Sequence, residues 1–86
     1  MSDLEWIENL IGKIVKIRRC SYVLKFANGI FVRSANLVTG EVCLVTDVHI
    51  TQADFFVVQY EMIHDGEITK INFSHVSTIY DHLEVV

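Results

Sequence analysis

The chain has 86 residues, 51 % of them hydrophobic, with no proline, four glycines, two cysteines and a formal net charge of −4. That length supports one domain over residues 1–86 and no more, and so high an apolar fraction excludes intrinsic disorder. No apolar run approaches the roughly 20 residues that cross a bilayer, the acidic start Met1-Ser2-Asp3-Leu4-Glu5 lacks the basic region of a signal peptide, and two cysteines make no disulfide framework; an intracellular, cytoplasmic protein without membrane contact is expected.

Residues 2–12 are predicted to form a short helix. Ser2 and Glu5 have the spacing of a capping box, Asp3 and Glu5 suit the positive end of the helix dipole, and Leu4, Ile7, Leu10 and Ile11 recur as one apolar stripe before Gly12. Trp6 lies beside that stripe.

From Lys13 the period changes to two, and 13–18 and 21–27 read as strands. Asn28-Gly29 is a type I′ turn signal that pairs Ala27 with Ile30 and Phe26 with Phe31. Tyr22, Leu24, Phe26 and Phe31 then share one face, and Val23, Lys25, Ala27, Ile30 and Val32 the other. Both faces are apolar, which implies more apolar surface than one small core can hide. Residues 41–51 alternate, with Val42, Leu44, Val48 and Ile50 expected inward and Glu41, Asp47 and His49 outward. After a strand over 55–63, Asp65-Gly66 gives a second turn of the same kind, whose register pairs Glu61 with Lys70, Tyr60 with Ile71 and Val58 with Phe73. In 74–86, Val76, Ile79, Tyr80 and Leu83 fit a helical spacing, but the β-propensity of 76–80 favours a short strand after a tight turn. The fold class is therefore mainly β: an N-terminal helix over 2–12, then a small, strongly bent antiparallel β-barrel over 13–86.

Charge is divided along the chain. Lys13, Lys16, Arg18, Arg19, Lys25 and Arg33 are six of the seven bases, and no acid lies between 13 and 33. Lys16, Arg18, Arg19, Lys25 and Arg33 are the candidate basic binding surface, suited to phosphate or an acidic partner. Glu41, Asp47, Asp54, Asp65 and Glu67 are the candidate acidic surface, suited to steering a basic partner. The one remaining base, Lys70, is expected to be neutralised by Glu61. An isoelectric point near 5.4 argues against general DNA binding.

No spacing brings a nucleophile and a base together, and no glycine-rich phosphate loop is present. Four histidines are scattered; His75, Asp81 and His82 could meet at a metal only if the tail were helical, and surface histidines are the expectation. Asp65 and Glu67 flank a turn glycine and should be solvated, and Cys20 and Cys43 should be reduced and at least half-buried. No catalytic, cofactor or metal site is expected, and no enzyme.

Ala27-Asn28-Gly29-Ile30 and Ser74-His75-Val76-Ser77-Thr78-Ile79 resemble segments of the Sm-like proteins of the Hfq and LSm type. The resemblance implies an N-terminal helix, a five-stranded small barrel of SH3-like shape, and rings that bind RNA, with Asn28 and His75 as RNA contacts. The chain departs from that pattern in having two strands before Asn28-Gly29, and Arg33-Ser34 where a second glycine is expected.

The expected function is a non-enzymatic binding module that regulates or inhibits a partner protein, as phage-encoded inhibitors of host systems do, and that also self-associates. One alternative is an Sm-like RNA-binding oligomer using Lys16, Arg18, Lys25 and Arg33. Another is an oligomer that sequesters a nucleotide or small ligand, with Arg18, Arg19 and Arg33 clamping phosphate.

Overall fold

The computed structural model describes residues 3–52 and 54–86, with side chains from Glu5 onward. In chain order the elements are α1 (Asp3–Glu8), β1 (Ile14–Ile17), β2 (Ser21–Ala27), β3 (Ile30–Leu37), β4 (Val42–Thr51), β5 (Val57–His64), β6 (Glu67–Phe73), α2 (Val76–His82) and β7 (Leu83–Val85). The strands form one antiparallel sheet in the order β3-β2-β6-β5-β4-β1-β7.

This sheet is not a closed barrel, because β3 and β7 are both edges. It is nevertheless bent. β1 and β2 stand four places apart in the strand order, about 19 Å if the sheet were flat. Yet the stretch from Ile17 to Ser21 reaches at most about 14 Å. The sheet must curl to bring its two sides together, and Val23 of β2 and Leu37 of β3 accordingly share one core with Val15 and Ile17 of β1 and Leu83 of β7.

Both hairpins have the register that their turns dictate. Asn28 and Gly29 have φ of 54° and 77°, Asp65 and Gly66 51° and 77°, as type I′ turns require. Phe26 pairs with Phe31, and Val58, Tyr60 and Glu61 pair with Phe73, Ile71 and Lys70.

Several expectations are corrected. The first helix ends at Glu8, not at 12, since the chain must turn for the Gly12 N–H to reach the Val45 carbonyl at 2.8 Å. Its capping box begins at Ser2, outside the described residues. The tail holds helix α2 over 76–82, so 13–86 is not all strand. Of the two faces of β2, the one with Ser21, Val23 and Lys25 turns inward and the row Tyr22, Leu24 and Phe26 turns outward: Lys25 stands opposite Thr69, and Thr69 opposite Met62, so the register of the buried ladder decides the face. In β4, Cys43 and Val45 are buried while Val42 and Leu44 face out. A bulge at Thr46 then shifts the alternation by one residue, and Val48 and Ile50 turn inward as expected.

Tyr60 is fully buried, and its hydroxyl donates to the Ile7 carbonyl at 2.9 Å, pinning the end of α1 to the sheet. Trp6 stacks on Tyr80 with ring centroids 4.1 Å apart, which joins α1 to α2. Among the described residues, no helix is long and apolar enough to cross a membrane.

Candidate functional site

One end of the core is polar. Lys25 is 3 % exposed, and its Nζ donates to Thr69 Oγ1 at 2.8 Å and to His64 Nδ1 at 2.9 Å. Because an ammonium group only donates, Nδ1 is the acceptor and the His64 proton is assigned to Nε2, which donates to Glu41 Oε1 at 2.9 Å. Glu41 Oε2 accepts from the Val38 N–H at 2.7 Å. At the rim, Arg33 grips Glu67 with two bonds of 2.8 Å, and Glu67 Oε1 lies 3.8 Å from Lys25 Nζ. The Val38 N–H, aided by His64, holds the Glu41 carboxyl below the usual carboxylate range. Arg33 does the same for Glu67. Cys43, on the same inner face, is pushed up to about 11 by burial, so its thiol keeps its proton at neutral pH.

Glu41, His64 and Asp65 offer three ligand atoms within 4.8 Å of one another. A metal at His64 would need the Nε2 lone pair, and the bond from Lys25 assigns a proton there. Lys25 and Thr69 are closed off from solvent, and this network ties β2, β5, β6 and the β3–β4 turn together.

The residues expected to form two charged surfaces are therefore dispersed. Lys25 is buried in the network and is not a surface base. Arg33 is exposed but held by Glu67, and Glu41 and Glu67 are engaged at the same end, so neither acid is freely solvated. Lys16 lies on β1 opposite Val42 and Glu84, with three strands between it and β2, so the bases of 13–33 form no single row. Arg18 Nη1 donates to the Tyr80 carbonyl at 3.3 Å, and Arg19 is exposed. Asp47, Asp54 and Asp65 are exposed, on β4, in the loop before β5 and at the second hairpin turn. Asn28, in the first hairpin turn, and His75, just past β6, lie at opposite ends of the sheet, since Phe26 stands opposite Ile68 at the start of β6. Lys70 stands opposite Glu61 but makes no salt bridge with it; its Nζ lies 4.4 Å from the Phe26 ring centroid, while Glu61 accepts from Thr46. Cys20 is exposed, contrary to expectation, and Cys43 is buried. His82 Nδ1 donates to the Thr78 carbonyl within α2 at 2.9 Å.

The outer face of the sheet has a more continuous feature. Cross-strand partners run Ile14↔Leu44, Leu44↔Ile63, Ile63↔Ile68, Ile68↔Phe26 and Phe26↔Phe31. Six strands thus each contribute one apolar side chain to a single row, and Val86 extends it by bonding the Ile14 carbonyl. Ile14 is 51 % exposed, Phe31 52 %, Leu44 40 % and Ile63 37 %. The next row along β6, β5 and β4 is charged: Lys70, Glu61 and Asp47. The Asn28-Gly29 turn signals the Phe26–Phe31 pair but not the belt, because two of its junctions, β1 with β4 and β2 with β6, join strands distant along the chain. No protein-family model, curated protein or solved structure matches this chain.

Proposed function

We propose that this chain is a non-enzymatic binding module that docks a protein partner on the apolar belt across its outer face. The belt is the observation that carries the reading. Scattered exposed apolar residues are ordinary, but a contiguous apolar strip with a polar margin marks an interaction surface. Here it spans Ile14, Leu44, Ile63, Ile68, Phe26 and Phe31, bordered by Asp47, Glu61 and Lys70. The sheet edges are poorer candidates for strand addition: β7 has three residues, and β3 carries a bulge at Val32 followed by Arg33, both features that discourage edge pairing. A regulator or inhibitor would use such a surface to cover part of its target.

The test is site-specific photo-crosslinking in the native cell. Replacing Phe31 by photoreactive p-benzoylphenylalanine should yield a discrete crosslinked protein, either a second copy or another chain. The same group at Tyr22, on the outer face beyond the charged row, should not. Equal crosslinking from both positions, or none from position 31, would rule the belt out.

A further inference from the structure

A second feature lies beyond the belt and does not depend on it. The register joining β2 to β6 stops at Leu24↔Lys70, yet β2 runs back to Ser21 and β6 runs on to Phe73. Past that pair the strands have no cross-strand partners in each other, and a cleft of about 230 Å³ lies between them with Thr78 and His82 of α2 on its wall. The peptide groups that face such a gap are strong hydrogen-bonding groups without a neighbour strand to take them.

The lining is selective in its chemistry. The chain has 11 acids to 7 bases, but no carboxylate lines this cleft. Lys70 does, with its ammonium resting over the Phe26 ring at 4.4 Å and within reach of the cleft by rotation of its side chain, and so do Tyr22 and Thr78. Asn72 adds an amide N–H donor, because its Oδ1 already accepts from Gln59 at 2.9 Å. At the rim is Cys20, directly after Arg18 and Arg19, and Arg18 is anchored beside α2 by its bond to the Tyr80 carbonyl. In a net-acidic molecule, one small concavity is thus lined by a lysine, an amide and hydroxyl-bearing residues and by no carboxylate.

We propose that this cleft binds the oxyanion, phosphate or carboxylate, of a small molecule, with Lys70 and Asn72 as its principal contacts. Charge-assisted bonds from a lysine, backed by amide and hydroxyl donors, are the means by which proteins hold such groups. The volume suits a compact metabolite.

Cys20 gives a direct readout, since it is exposed at the rim while Cys43 is buried. The experiment measures alkylation of Cys20 by neutral iodoacetamide in inorganic phosphate, in succinate and in sodium chloride at matched ionic strength. Phosphate or succinate should slow the reaction saturably, by about tenfold at ten times the apparent Kd; which of the two does so identifies the oxyanion. Lys70→Met, which keeps the length that packs on Phe26, should lose the protection. Amide chemical shifts of the unsubstituted protein provide a check that needs no variant: shifts should cluster at 21–24 and 70–73. No slowing beyond that in sodium chloride, undiminished protection in Lys70→Met, or shifts confined to other residues would overturn the proposal.

Discussion

Lysine is almost never fully buried unless it is paired, and Lys25 meets that condition through Thr69 and His64. Removing one partner while keeping the shape exposes the cost of the arrangement. Thr69→Val should destabilise the fold by about 1–3 kcal/mol, measured by urea denaturation, because a buried donor loses its acceptor. The thiols supply a second prediction at this scale. Cys43 is buried and held protonated by that burial, with its pKa pushed up to about 11. One thiol equivalent, Cys20, should react with a thiol reagent in the native protein at neutral pH, and two after unfolding; two fast equivalents in the native state would contradict the burial. Neither partner of Lys25 was legible in the sequence. His64 and Thr69 lie 39 and 44 residues away along the chain, and an alternating strand reveals which residues share a face but not which faces meet. The period of two in 58–64 does place His64 on the same face as Val58, Tyr60 and Met62, and that was the available hint.

At the scale of elements, α1 is seated by buried Ile7, by the stacking of Trp6 on Tyr80 and by one buried hydrogen bond. Tyr60→Phe leaves the Ile7 carbonyl only the longer bond from the Leu10 N–H at 3.4 Å and should cost about 1 kcal/mol. Trp6 is the only tryptophan and stacks on Tyr80, so its emission should report whether α1 stays docked against α2 in that variant. An unchanged denaturation midpoint would show that the bond does not hold the helix. The two hairpins were legible because turn chemistry and side-chain alternation fix the same register independently. The first half of β4 was not. A bulge at Thr46 inverts the alternation partway along, and no residue type announces a bulge. In the tail, β-branched Val76, Thr78 and Ile79 argued for a strand, but burial of Ile79 and packing of Val76 on the core reward the helical spacing, and tertiary contacts outweighed propensity.

Over the whole molecule, the curled open sheet explains why an apolar belt was hard to foresee. Its residues become one row only because β1 pairs with β4 and β2 with β6, pairings that run across the chain order. The composition did imply surplus apolar surface, and part of it lies in the belt. The polar network at the end of the core makes acid stability a global property. Glu41 and Glu67 both have carboxyl pKa values lowered in the fold, from an ordinary 4.5. Groups of that kind contribute stability that is present above the unfolded value and lost as pH falls through the folded one. For these two acids the urea midpoint should therefore begin to fall only below about pH 4.5, and Glu41→Gln should flatten that fall; an identical acid profile in the variant would contradict the linkage.

The belt itself is tested most directly by the mass of the native assembly, measured by light scattering on tagged protein drawn from its own cell extract, for the natural chain and for Leu44→Lys. Leu44 sits mid-belt with its side chain already part-exposed, so the substitution should leave the melting temperature nearly unchanged. The natural chain should elute in a species heavier than its own 9.9 kDa, and the variant should fall to the bare monomer. A heavier species that survives Leu44→Lys intact, or a natural chain that elutes alone, would contradict docking at the belt.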